Sequence, residues 1–308
     1  MTGLCALIRR NVKLYFKDKG MFLTSLITPV ILLVLYVTFL GSVYEDMFLS
    51  PFKAIGITVP QSIVKGFVGG QLVSSILAVS CVTVAFCSNL LSVQDKTGGA
   101  RRDFNVSPVK PSVTALGYYL STLVSALTIT LTAACICIVY LRVTGWYLSA
   151  ADIAALFGDV VLLVLFGTAL SSCLVYPMTT QGQASALGTV ISAGYGFVCG
   201  AYMPISSFSD GLQKVMMFLP GTYGTSLMRE HVLRGVFSAM AEKGFPAAAS
   251  EALLKSTDCT LFFFGNTVPS GAKYAVLCGI VVLLVALYLM INTIASRRAK
   301  QKNRTLFL

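Results

Sequence analysis

Five stretches of this chain, at 21–43, 66–94, 111–141, 160–209 and 274–296, each run for more than 20 residues without a single Asp, Glu, Lys or Arg. A bilayer core about 30 Å thick takes roughly 20 apolar residues per helix, so each stretch is long enough to cross one. The fourth is too long for one crossing, and it breaks at 177–183 (PMTTQGQ), where Pro, Gly and two Gln punctuate the apolar run as a turn does. With 56% hydrophobic and 11% charged residues and a mean hydropathy of +0.81, the chain lies outside the soluble range and needs lipid as its solvent. The sequence therefore predicts an all-α integral membrane protein, one domain over 1–308. Its six spans fall at 21–43, 67–93, 112–141, 153–176, 183–203 and 274–296.

The first stretch is longer than the 7 to 15 apolar residues of a secretion signal and follows a basic segment of about 20 residues, so it reads as an uncleaved span. Of the nine cysteines, Cys81, Cys87, Cys135, Cys137, Cys173, Cys199 and Cys278 fall inside predicted spans, where they act as small apolar residues. Cys259 has no loop partner, so no disulfide framework is expected. Cys135 and Cys137 point about 200° apart on a helix, so no metal site is expected either.

Charge fixes the expected orientation. Segments 1–20 and about 95–110, the short turn near Gln181 and 297–308 hold 14 of the 23 Lys and Arg with only Asp18, Asp95 and Asp103 as acids. The rest of the chain nets zero, so the whole excess of +11 lies on one face. By the positive-inside rule that face is cytoplasmic, both termini lie there, and the protein is a multi-pass protein of the plasma membrane. Basic segments beside spans meet anionic lipid headgroups, which sets aside nucleic acid as the partner.

Between these anchors the pattern varies. Leu4, Leu7, Ile8, Asn11, Val12 and Tyr15 form one stripe, with Arg9, Arg10, Lys13 and Lys17 largely elsewhere, which predicts an interfacial amphipathic helix over 1–20. The loop after the second span (QDKTGGARRDFNVSPVKPS) reads equally well as a solvated, topology-setting loop and as a docking surface. In the fifth span Ala184, Gly188, Ser192, Gly196 and Gly200 recur every four residues, a ridge along which another helix can approach closely. Packing within the chain, contact with a second copy and lining of a path all remain open for it.

Segment 204–273 is expected to be extracytoplasmic, with helical patterns at 209–219, 222–240 and 247–255 and an uncharged run (CTLFFFGNTVPSG) that is buried or interfacial. Its single histidine, His231, reads as a packing or surface residue.

Several chemistries are excluded. There is no GxxxxGK[ST] loop to cradle ATP phosphates; with one His there is no HExxH zinc site, and no Ser/His couple is expected inside the membrane. The chain is thus not expected to be an enzyme. Ion-coupled carriers keep ionisable groups mid-span; here only Asp159 comes close.

Three segments carry a family resemblance. LIRRNVKLYFKDKGMFLTSLITPVILLVLY resembles the interfacial connecting helix and Pro-broken first span, here at Pro29, of the permease subunits of ATP-binding cassette exporters of the second export class (ABC-2 type). DKTGGARRDFNVSPVKPS resembles that family's loop after the second span, and GAYMPISSFSDGLQKVMMFLPGTYGTSLMRE its amphipathic segment before the last span. The resemblance implies a permease that pairs with a second permease copy or paralogue. Each permease docks on a separate ABC ATPase that holds the ATP and Mg, and this chain binds no cofactor of its own.

On this resemblance Asp95, Lys96, Arg101, Arg102 and Asp103 become ATPase-coupling candidates, and Thr83, Asn89, Ser185 and Tyr195 line the path of a hydrophobic or amphipathic solute. Gly188, Ser192, Gly196 and Gly200 pack helices. The segment between Glu230 and Lys273 is longer than the hairpin usual in the family. The alternative reading is a gradient-driven six-span transporter or channel that needs no ATPase.

Overall fold

A computed structural model describes residues 2–54, 56–107 and 109–306, with side chains described except at 2, 28, 37, 54, 102, 105, 106 and from 296 onward. The chain forms α1 (Thr2–Lys17), α2 (Lys19–Leu35), a π-helical turn (Tyr36–Leu40), α3 (Gly41–Ala54), α4 (Gln61–Thr97) and α5 (Ala100–Val106). These are followed by α6 (Pro111–Thr144), α7 (Ala150–Val175), α8 (Gln181–Val198), a 3-10 turn (Ile205–Ser207), α9 (Asp210–Met216), α10 (Pro220–Glu242) and α11 (Ala247–Ser256). A two-residue-strand hairpin, β1 (Phe262–Phe263) and β2 (Asn266–Thr267), precedes the closing helix α12 (Ser270–Leu306).

Among the described residues, five helices are long and apolar enough to span a membrane: Lys19–Lys53, Gln61–Thr97, Pro111–Thr144, Ala150–Val175 and Ser270–Ala295. The helix over the expected fifth span, α8, has 18 residues, about 27 Å at 1.5 Å per residue, and is not one of the five. It is shortened because the chain turns at Gly200, whose φ of +75° only glycine adopts without strain.

The first span runs past its expected end at Val43. It continues through Pro29 instead of breaking there, and the ladder shifts register two turns later, in the π turn at Tyr36–Leu40. There the Tyr36 hydroxyl donates to the Val68 carbonyl of α4, so a tertiary bond sits where the helix is irregular.

Helix α4 is the pillar of the molecule. It packs against α2, α3, α6, α7, α8 and α10, and 89% of its apolar window is buried. Small residues permit this. Gly66 faces the Tyr147 ring and Gly70 faces Leu233, while Gly167 of α7 brings its backbone against Cys81 and Val82, where an added Cβ would lie 2.9 Å from backbone atoms. Helices in lipid gain little from hydrophobic drive and associate through close packing of this kind. The predicted small-residue ridge on α8 does less of it. Gly196 receives the Tyr202 ring, but nothing lies within 4 Å of a Cβ at Gly188.

Helix α1 buries Leu7, Asn11 and Tyr15, one face at i, i+4 and i+8, and Leu7 seats on Gly117 of α6. The three helical patterns in 204–273 form α9, α10 and α11. The uncharged run forms a hairpin that periodicity did not predict.

Gly235 of α10 lies so close to the 145–149 connection that a Cβ would fall 1.7 Å from the Tyr147 carbonyl oxygen. Gly235→Ala is therefore expected to cost about 1–3 kcal/mol through forced backbone displacement, read as a lower unfolding midpoint in detergent. Gly188→Ala, in open space, is expected to leave the midpoint unchanged or raise it.

Candidate functional site

A groove of about 940 Å³ opens on the side of the bundle. One wall is α2, the π turn and α3, with Ile27, Ile31, Leu35, Phe39, Val43 and Met47; the other is α8, with Ser185, Gly188, Thr189, Ser192 and Phe197. Cys87 and Leu90 of α4 form its floor. Ile31 and Phe39 are well exposed, as is Val190 of α8. Such a surface suits lipid tails or an apolar solute. Tyr44 on the groove wall has no hydrogen-bond partner for its hydroxyl, and neither do the buried Gln71 amide and Ser75 hydroxyl of α4.

At the end of the molecule where α1 lies, a cationic cluster ties the loop after α4 to three helices. Arg10 of α1 donates to both carboxylate oxygens of Asp95, at 2.6 and 3.0 Å, and Tyr118 of α6 donates to the same carboxylate at 2.6 Å. Asp95 beside it raises the Arg10 guanidinium further, against the opposing effect of burial. Arg10 also lies over the Phe104 ring of α5 at 5.3 Å. Arg101 of α5 lies 5.8 Å from the rings of both Tyr118 and Tyr176. Lys96 donates to the Tyr176 and Met178 carbonyls at the C-terminus of α7, where a cation complements the unsatisfied carbonyls.

The opposite end is held by a second ionic network. Arg229 of α10 is wholly buried and donates to the Asp258 carboxylate at 3.0 Å, the Thr257 carbonyl at 3.2 Å and the Gly200 carbonyl at 2.5 Å. Burial pushes the Asp258 carboxyl up, with Arg229 and the Ile205 amide opposing it. Lys273 of α12 donates to Glu230 at 3.0 Å and to the Ser226 hydroxyl and Cys259 carbonyl at 2.9 Å. Asp159 of α7 accepts from Tyr274 and pairs with His231, each at 2.6 Å, and Arg234 reaches Asp152 at 3.2 Å. Thus α7, α10 and α12 are bolted together by charges drawn from distant parts of the chain.

The sequence candidates are distributed unevenly over this geometry. Asp95 and Lys96 point into the chain and are engaged by its own groups rather than presented outward. Arg101 packs on two tyrosines, Asp103 is exposed, and the Arg102 side chain lies outside the described residues.

Of the four path candidates only Ser185 lines the groove. Thr83 donates to its own helix at Val79, Asn89 joins α4 to Ser171 and Ser172 of α7, and Tyr195 is buried against Gly221. Gly188 and Ser192 line the groove, whereas Gly196 and Gly200 shape the α8 terminus. Arg10, Tyr118, Arg229 and Asp258 were not anticipated, and of the two readings of His231, packing or surface, the structure shows the buried one, hydrogen-bonded to Asp159. The available signal was the isolated charge at a span edge, Asp159 or Lys273, since such a group demands a partner.

A family model described as ABC-2 type transporter matches residues 2–233. No curated protein matches the chain.

Two outcomes test these networks. A double-mutant cycle on Arg10→Ala and Asp95→Ala, read by thermal unfolding in detergent, is expected to show a coupling of about 1–2 kcal/mol, the range for charged hydrogen bonds reduced for the partial exposure of Arg10. At Glu230 burial works upward, but the Ser270 hydroxyl and the Lys273 ammonium outweigh it and hold the carboxyl below its ordinary value. A depressed carboxyl contributes stability above its unfolded pKa and loses it as pH falls through the folded one. The unfolding midpoint should thus gain nothing from Glu230→Gln at neutral pH, and the wild-type advantage should fade below about pH 4.

Proposed function

Because the chain belongs to the ABC-2 type transporter family, we propose that it is the membrane half of an ATP-driven exporter whose solute travels the groove between α2–α3 and α8. It is a multi-pass permease and not a catalytic subunit. The observation that carries the proposal is the groove: large, apolar, open at the side, and lined by the one irregular turn of the first span. Thr24 on one wall and Ser185, Thr189 and Ser192 on the other add hydroxyls to the apolar lining, which suits an amphipathic solute with a hydrogen-bonding head.

In this reading α8 is the sixth crossing, both termini are cytoplasmic as the charge asymmetry requires, and a second copy or paralogue faces the groove. A separate ATPase, with its ATP and Mg, docks on α5 at Arg102 and Asp103. Asp95, Lys96 and Arg101 then act as positioning residues: they carry movement of α5 to α1 through Arg10, to α6 through Tyr118 and to α7 through Tyr176. Since α1 leads directly into the first span through Asp18, which caps α2 by accepting from the Met21 amide at 3.1 Å, the displacement reaches a wall of the groove. The gradient-driven alternative would use Asp159, whose two oxygens are both committed to His231 and Tyr274.

Co-expression with ABC ATPase subunits of the same organism provides the test. Arg102→Glu with Asp103→Lys is expected to abolish co-purification and any effect of the permease on ATP hydrolysis. Gly188→Trp with Ser192→Trp should retain the complex while export of amphipathic dyes from vesicles is lost. Unimpaired export by the groove variant would remove the path assignment, and a wild-type chain that binds no ATPase would remove the exporter reading.

A further inference from the structure

The hairpin that interrupts the region before α12 exposes what a soluble hairpin hides. Its two turn residues, Phe264 and Gly265, both have positive φ, +48° and +87°, and Phe263 pairs with Asn266 across them. This is the two-residue turn that favours Asn-Gly or Asp-Gly, because a bulky side chain is strained at positive φ. Phe264 occupies the strained position, and although its ring meets that of Phe263 at 4.8 Å, the residue is 64% exposed, so most of its surface is left uncovered by this chain. The side chain is placed for a contact outside the chain.

That contact surface extends beyond one residue. Phe218, 65% exposed at the end of α9, has its ring centroid 5.4 Å from Phe263 and 6.3 Å from Phe264. Leu212 and Val215 extend the ridge along α9, while Met216 and Met217 face inward. Beside the ridge a cleft of about 450 Å³ is flanked by Lys214 and Lys255, with Asp210 and Gln213 also on its wall. The Lys255 ammonium lies 5.2 Å over the Phe262 ring. Among the described residues neither lysine is ion-paired.

We propose that this Phe218–Phe264 ridge dips into the lipid leaflet at its end of the molecule, with Lys214 and Lys255 meeting lipid phosphates. Three features select lipid over a second copy. The hairpin ends at Thr267, three residues before the span that begins at Ser270, so about 10 Å of chain fixes its height at the membrane boundary. Aromatic rings rimmed by lysines are the side-chain set of a bilayer interface. A ridge of four or five side chains also falls short of the roughly 1,000 Å² that a stable protein interface buries. The inference rests on the chain being a membrane protein and is independent of the export reading.

The chain has a single tryptophan, Trp146, which makes fluorescence decisive. The full-length Trp146→Phe protein carrying Phe264→Trp, or Phe218→Trp as a second reporter, is reconstituted in phosphatidylcholine–phosphatidylglycerol vesicles containing acyl-brominated lipid. Bromines near the headgroup end of the acyl chain are expected to quench the emission at least about two-fold, as for an interfacial ring, and deeper bromines to quench it less. Phe264→Gly, which fits the positive φ without strain, should keep the protein folded while the Phe218→Trp signal becomes less quenched by bromines. Lys214→Glu with Lys255→Glu should weaken quenching in phosphatidylglycerol-containing vesicles.

Emission that is quenched freely by acrylamide and unaffected by brominated lipid would place the ridge in water and overturn the proposal. A blue-shifted emission insensitive to bromine, with a Phe264→Cys disulfide between copies, would overturn it in favour of a protein contact.

Discussion

Helix α4 is enclosed on nearly every side, and in a lipid solvent that enclosure cannot be driven by the hydrophobic effect, since a lipid tail is as apolar as a leucine. It has to be driven by close contact and by polar bonds between helices. Gly66 and Gly70 let the 145–149 connection and α10 approach the pillar, and Gly167 lets α7 touch its backbone. Asn89 then stitches α4 to α7, and the Tyr36 hydroxyl stitches the first span to it. The other helices take their places from this one, and the groove exists because α2 and α8 lean on the same pillar without closing on each other.

The two ends of the bundle are secured by different means. At the α1 end, Arg10, Lys96 and Arg101 hold tyrosines, carbonyls and one carboxylate in a partly exposed cluster. At the other end Arg229, Asp258, Asp159, His231 and Lys273 are buried. Breaking a buried pair leaves an uncompensated charge, which costs far more than loss of an exposed one. That end is a rigid cap, to which the hairpin and α9 are attached as exposed apolar appendages.

Much of this was legible in the residues. Charge-free stretches give the spans because a charged side chain within lipid is costly, and that holds whatever the neighbours are. Of the stripe Leu4, Leu7, Ile8, Asn11, Val12 and Tyr15, the residues Leu7, Asn11 and Tyr15 are buried and the other three half-buried. The site was less legible, for a specific reason. A neutral polar residue such as Thr83 or Asn89 reads the same whether it lines a path, bonds its own helix or joins two helices, and only the position of the neighbouring helix separates these roles. Asp95 and Lys96 similarly look like loop charges, yet their partners lie 85 and 80 residues away, at Arg10 and Tyr176.

By itself the sequence determined that this is a mostly helical membrane protein, since hydropathy acts locally through the solvent each residue meets, and its motifs carried the likeness to the ABC-2 family. The tertiary structure decided which helix is the pillar, which wall of the groove the first span supplies, which charges are paired, and that a strained Phe264 ends up exposed beside Phe218. Those outcomes depend on distances between segments from 29 to 115 residues apart, set by side-chain shape in the packed bundle, and no local pattern encodes them.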